Sequence, residues 1–137
     1  ERDQHILAEK DLKFVTKKRP TSSELASLLF GWTIIKNIKS NAILLIKGTR
    51  TISVGCGQTS RVDSVKLSIQ RAAKNAKGSV LISDAFLPHV DNVQLAAKAG
   101  IKAIIQPGGS IVDQDVIKEA NKARIAMVFT GVRHFKH

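Results

Sequence analysis

SVLISDAFLPHVDNVQLAAKAGIKAIIQ, residues 79–106, is the stretch from which the fold follows. Its first apolar run has strand length, and 79–82 reads as a short buried strand. Asp91 or Asn92 can cap a helix, and Gly100 suits the left-handed turn just past a helix end. A second buried strand is expected over 101–105. Strand, helix and strand in this order define a crossover unit with the helix on one face of a sheet.

Outward from this unit the alternation continues. Pro107-Gly108-Gly109-Ser110 reads as a turn, 113–123 as a helix and 125–129 as a last strand. Toward the N-terminus, 60–76 reads as a helix with Val62, Val65, Ile69, Ala72 and Ala73 inward. Strands over 42–47 and 51–54 flank Gly48-Thr49-Arg50, a hairpin signal. Thr21 and Glu24 have the spacing of a capping box. Leu25, Leu28, Leu29, Trp32 and Ile35 then recur at helical spacing, so a helix is expected over 22–38. Residues 1–20 are mostly polar and read as irregular. The expected fold class is α/β, with a mixed sheet and helices on both faces. Ligands in such folds bind beyond the carboxyl ends of the strands.

The chain has 137 residues, enough for one domain. No apolar run reaches the roughly 18 residues of a membrane-spanning helix. The start, Glu1-Arg2-Asp3, does not have the basic and then apolar character of a signal peptide. The single Cys56 excludes an internal disulfide and a multi-cysteine zinc site, and a reduced, cytoplasmic setting is expected. Lys and Arg number 22 against 11 Asp and Glu, a net charge of +11 that favours anionic partners. The excess is spread along the chain, and its one dense cluster is Lys17-Lys18-Arg19. Aromatic residues are 4% of the chain, poor material for stacking bases, so nucleic acid is not the expected partner.

Polar groups that follow strands are the candidate functional residues. Asp84 follows the 79–82 strand and can serve as a turn acceptor or a ligand contact. Gly108 and Gly109 can form a tight turn or present amides to an anion. Arg61 opens a helix, where a cation opposes the helix dipole; it either serves a ligand or projects into water near Asp63. Arg133, His134, Lys136 and His137 form a basic tail. His5, His89, His134 and His137 lack the spacing of a metal site. Neither a Gly-x-Ser-x-Gly elbow nor a Gly-x-x-x-x-Gly-Lys phosphate loop is present.

Five strings in these loops occur together in one family. They are Lys39-Ser40-Asn41-Ala42, Gly57-Gln58-Thr59-Ser60-Arg61-Val62-Asp63-Ser64, Ser83-Asp84-Ala85-Phe86, Ile105-Gln106-Pro107-Gly108-Gly109-Ser110 and Phe129-Thr130-Gly131-Val132-Arg133-His134-Phe135. The chain resembles the C-terminal part of AICAR transformylase, the formyltransferase half of a bifunctional purine biosynthesis enzyme. The resemblance runs from about Asp11 to His137. It implies a cytidine-deaminase-like three-layer fold, with residues 21–137 as the second of two such subdomains. It also implies formyl transfer from 10-formyltetrahydrofolate to the amine of AICAR, giving FAICAR, in a homodimer. By resemblance, Asn41, Phe86 and Arg133 contact AICAR, Asn41 in an orienting role, with Phe135 and His137 supporting the pocket. Arg61, Asp91, Ser110 and Ile111 match folate contacts, with Pro88 and Asn92 beside them. Ser40 and Asp84 match positions near a monovalent-cation site, potassium in kind.

The chain departs from the family at Leu87, His89 and Val90, where two aromatics and a cation are usual, and at Cys56, where alanine is usual. The family's Lys-His-x-Ser-Pro-Ala-Gly string, which carries its proton-transfer pair, does not occur in this sequence. The cyclohydrolase domain and the first transformylase subdomain are therefore implied partners, and the chain alone is expected to be inactive. Two other readings are a binding module for a purine nucleotide or folate without catalysis, and a basic nucleic-acid binder.

Overall fold

The computed structural model describes residues 9–131. Helix α1 (Ser22–Ile35) opens as its capping box requires: Glu24 N–H donates to Thr21 Oγ1 at 3.1 Å, and Thr21 N–H donates to Glu24 Oε1 at 3.0 Å. It ends three residues short of the predicted boundary. Asn37 and Ile38 N–H instead reach the carbonyls of Ile34 and Ile35, the tighter closing that finishes many helices.

The hairpin forms from β2 (Ile43–Lys47) and β3 (Arg50–Gly55), with Lys47 opposite Arg50. Its turn is therefore Gly48-Thr49, one residue shorter than the predicted loop. Gly48 takes φ +66°, which glycine adopts at little cost. Next come α2 (Arg61–Ala72), β4 (Val80–Ser83), α3 (Val90–Ala99), β5 (Ala103–Gln106), α4 (Asp113–Ala123) and β6 (Ala126–Phe129). Helix α2 stops earlier than predicted, because Ala73 turns to φ +52° and the chain continues as a 3-10 turn over Ala73–Ala76. Ala73 is accordingly exposed rather than inward. Helix α3 begins at Val90, ahead of both residues expected to cap it. His89 occupies the cap, Asp91 lies in the first turn, and Asn92 is buried.

Together with β1 (Lys13–Phe14), the strands form one mixed sheet in the order β1-β6-β5-β4-β2-β3. Strands β4, β5 and β6 run parallel, while β1, β2 and β3 pair antiparallel with their neighbours. Strand β1 replaces the irregular segment expected within 1–20. It is too short for a hydrophobic period to reveal it, and it is held by tertiary bonds. Val15 N–H donates to Met127 O, and Met127 N–H donates to Thr16 Oγ1.

The sheet separates two apolar layers. Leu44, Ile46, Ile82, Ile105 and Val128 face Leu28, Trp32 and Ile35 of α1. Ile43, Leu45, Leu81, Ile104 and Met127 face α2, α3 and α4. This is the expected α/β three-layer architecture, with α1 on one face and, among the described residues, α2, α3 and α4 on the other. Alternation of side chains along each strand supplies both faces, so the central strands are buried on both sides.

Helix α2 packs with an unusual inward face: Arg61, Ser64, Val65, Ser68 and Ala72. Only two of these are apolar, and Val62 and Ile69 lie half-buried beside them. The helix approaches β3 so closely that a Cβ on Gly55 would overlap the Ser64 carbonyl oxygen and press on Ser68 N. Ser53 Oγ also donates to the Ser68 carbonyl at 2.6 Å. Gly55→Ala is expected to force α2 off the sheet and lower stability by about 1–3 kcal/mol, as overpacking does. Urea denaturation would check it; an unchanged midpoint would show that the helix shifts freely.

Candidate functional site

The carboxyl end of β4 and the segment leading into β2 lie side by side, because β2 and β4 pair antiparallel with Ile43 opposite Ser83. That register places Asp84 against Ser40, Asn41 and Ala42. Ser40 Oγ donates to Asp84 Oδ2 at 2.5 Å, and Ala42 N–H donates to Asp84 Oδ1 at 3.2 Å. The Ser40–Asn41 peptide bond is cis.

Helix α2 supplies the cation. Ser60 caps it by accepting from Asp63 N–H, and Arg61 is its first residue. Arg61 does not project into water toward Asp63. It turns inward, is 7% exposed, and forms a salt bridge with Asp84 Oδ1. The same guanidinium donates to Ala42 O at 3.2 Å and to Asn41 Oδ1 at 2.8 Å. Asn41 Nδ2 donates to Gln58 O at 3.1 Å, and Ser64 Oγ donates to Asn41 O at 2.8 Å. One acceptor site and one donor of the Asn41 amide remain for a ligand. Asn41 is half-buried, so that remainder is within reach of solvent.

Sequence reasoning named Ser40, Asn41, Arg61 and Asp84 and missed the residues that hold them. Ser64 carried a signal, since it lies one turn from Arg61 on the same helical face. Gln106 carried another, as a polar residue directly after the apolar run Ala103-Ile104-Ile105. It is fully buried, and its Oε1 accepts from Leu87 N–H at 3.0 Å, which fixes the loop bearing Phe86 and Pro88. Gln58 acts through its backbone, and no side-chain pattern shows that.

The remaining candidates lie apart from this cluster, at the start of α3 and in the turn before α4. Asp91 shares a cavity of about 370 Å³ with Val62, the residue after Arg61. Asn92 is 1% exposed and donates to His89 O, while its Oδ1 has no partner among the described residues. Ile111 is fully exposed, and Ser110 Oγ accepts from Val112 N–H. At the Gly108-Gly109 turn, Asp113 takes the N–H groups of Gly109 and Ser110 at 2.8 and 3.1 Å. Arg133, Phe135 and His137 lie outside the described residues.

Ser40 and Asp84, which by resemblance lie near a potassium site, are bonded directly to each other. The carboxylate already accepts from a hydroxyl, an amide and a guanidinium, which supplies the positive charge itself. No cluster of three His, Cys, Asp or Glu that would hold a metal occurs among the described residues.

These features define an α/β domain with a buried, charge-paired polar constellation at the strand ends. The sequence comparisons give the family. A model of the AICARFT/IMPCHase bienzyme matches residues 1–71. The bifunctional purine biosynthesis protein PurH of Anoxybacillus flavithermus is 53% identical over 135 residues, covering 98% of this chain and 26% of that protein. The PurH proteins of Chlorobium chlorochromatii and Halalkalibacterium halodurans are 54% and 53% identical, each over 100% of this chain and 27% of its own length. The chain belongs to the AICARFT/IMPCHase bienzyme family and spans about a quarter of the length of these relatives.

Arg61 and Asp84 are both nearly dry, so losing one charge strands the other. Asp84→Ala is expected to lower stability by about 3–5 kcal/mol, the range for breaking a buried pair. Removing Arg61 as well should recover part of that loss, since no unpaired charge then stays buried. Denaturant titration of the two single variants and the double variant checks this; strictly additive losses would exclude the coupling.

Proposed function

We propose that this chain is the AICAR- and folate-binding part of a formyltransferase of purine biosynthesis. In this reading, 10-formyltetrahydrofolate gives its formyl group to AICAR to make FAICAR. Residues 21–137 form the second of two cytidine-deaminase-like subdomains. The observation that carries the reading is the Asn41 amide, held between the Arg61 guanidinium and the Gln58 carbonyl. A fixed amide with one donor and one acceptor site left complements the adjacent amine and carboxamide of AICAR. Family membership supports the same substrate.

Asn41 orients the nucleotide, and Phe86, half-buried two residues beyond Asp84, packs on its heterocycle. Arg133 pairs with its phosphate, and Phe135 and His137 complete the pocket. The folate lies toward Asp91, Asn92, Pro88, Ser110 and Ile111. Asp91 accepts from donors on the pterin edge. Arg61, assigned to the folate by resemblance, also reaches the nucleotide side through its bond to Asn41.

Formyl transfer makes a bond from the formyl carbon to the AICAR amine and breaks the bond to folate N10. One proton must leave the amine and one must reach N10. The site residues identified here bind and orient. The proton-transfer pair belongs to the first transformylase subdomain, which completes the site, together with the cyclohydrolase domain, in a cytoplasmic homodimer.

The chain should therefore bind AICAR and show no formyl transfer by itself. Isothermal titration is expected to show AICAR affinity that falls at least tenfold in Asn41→Ala, with a smaller loss in Asn41→Asp. Absence of AICAR binding by the folded chain would overturn the reading, and so would turnover without a second subunit.

A further inference from the structure

The opposite end of the sheet carries a second concentration of polar groups. Because β4, β5 and β6 are parallel, Asp84 marks one end and the starts of these strands mark the other. At that other end, Lys17, Lys18, Asn121 and Arg124 line a cavity of about 470 Å³. The lysines follow β1, which runs antiparallel to β6, and Asn121 and Arg124 come from the end of α4.

The lining is one-sided chemically. It offers two ammonium groups, a guanidinium and a carboxamide, with no carboxylate. Asn121 Oδ1 is already engaged, accepting from Lys17 N–H at 2.8 Å. That bond pins the lysine loop to the helix end and leaves the amide NH2 to face a ligand. Two of the last four carbonyls of α4 are also satisfied: Ala120 O accepts from Ile125 N–H, and Asn121 O accepts from Arg124 N–H. The negative end of the helix is thereby blunted in part toward an incoming anion.

Arg124 has a backbone that its side chain disfavours. It caps α4 at φ +60° and ψ 37°, in the left-handed region. Helix α3 ends with the same geometry, φ 83° and ψ 22°, on Gly100. Glycine is the residue such a cap prefers, because it has no Cβ to strain there. Complementing the helix dipole does not explain the arginine, since Lys122 already places a cation in that last turn. A side chain kept where the backbone opposes it points to a use for the side chain.

We infer that this pocket binds a small polyphosphate anion, either inorganic pyrophosphate or the phosphate chain of a nucleotide. The guanidinium fork engages two phosphate oxygens, and the lysines add point charges beside it. The net charge of +11 raises the local anion concentration. This site is independent of the Asn41 site and of the formyltransferase reading.

The test is an amide NMR titration of the full chain at constant ionic strength with pyrophosphate, ATP and a single-stranded oligonucleotide. Shifts are expected at Lys17, Lys18, Asn121 and Arg124 for pyrophosphate and ATP. Equal affinities assign the phosphate chain alone, and a tenfold preference for ATP assigns the nucleotide. Arg124→Gly is expected to raise Tm and weaken pyrophosphate at least tenfold. A Lys17→Gln, Lys18→Gln double variant should weaken it comparably with Tm unchanged. The inference fails if Arg124→Gly keeps native affinity or lowers Tm. It also fails if shifts scatter over the basic surface, or if the oligonucleotide binds more tightly than both small anions.

Discussion

The buried pairing of Arg61 with Asp84 joins three stretches of chain that are distant in sequence. Asp84 leaves β4, Arg61 opens α2, and Ser40 to Ala42 lead into β2. Removing both charges from water is costly, and their attraction compensates only when the remaining hydrogen-bonding sites are filled. Here they are. The carboxylate also takes the Ser40 hydroxyl and the Ala42 amide, and the guanidinium also reaches Ala42 O and Asn41 Oδ1. Such a network is satisfied in one arrangement only, so it fixes where α2 starts relative to the sheet. The Asn41 amide acquires its orientation as a consequence.

The same constraint accounts for the polar inward face of α2. A helix held at its first residue by an ion pair must lie close over β3. Gly55 removes the Cβ that would prevent this, Ser53 supplies a hydrogen bond across the contact, and Ser64 bonds to Asn41 O ahead of β2. Apolar side chains at positions 64 and 68 would hold the helix farther out. The usual rule that a helix buries its hydrophobic stripe is overridden by a specific polar connection.

Much of the fold was legible because local rules and tertiary packing agree. The Thr21–Glu24 box, the Gly48 turn, the Gly100 cap and the 113–123 helix are local features, and each stands where the residues place it. Strand β1 was not legible, because two residues carry no period and the partner, β6, lies over a hundred residues away in sequence. The break at Ala73 was hidden too, since alanine favours helix and nothing nearby announces a positive φ. In the site, the residue types pointed to Arg61 and Asp84, and the family resemblance to Asn41, but neither pointed to their mutual bonds. At the Gly108-Gly109 turn the sequence left two uses open, and the structure shows the Gly109 and Ser110 amides taken by Asp113 from the helix that follows.

By itself the sequence determined the alternation of helices and strands, the α/β class, the family and the identity of the polar groups at the strand ends. These rest on periodicity, capping residues and recurring strings, all of which act over short distances along the chain. Only the tertiary structure decided that Arg61 is buried against Asp84 rather than solvated. It alone decided that Asn41 is held by Arg61 and Gln58, and that Lys17, Asn121 and Arg124 line one cavity. The physical reason is that hydrogen bonds and ion pairs are short-ranged and directional. Which groups satisfy one another depends on strand register and helix placement, and no single segment of the chain encodes either.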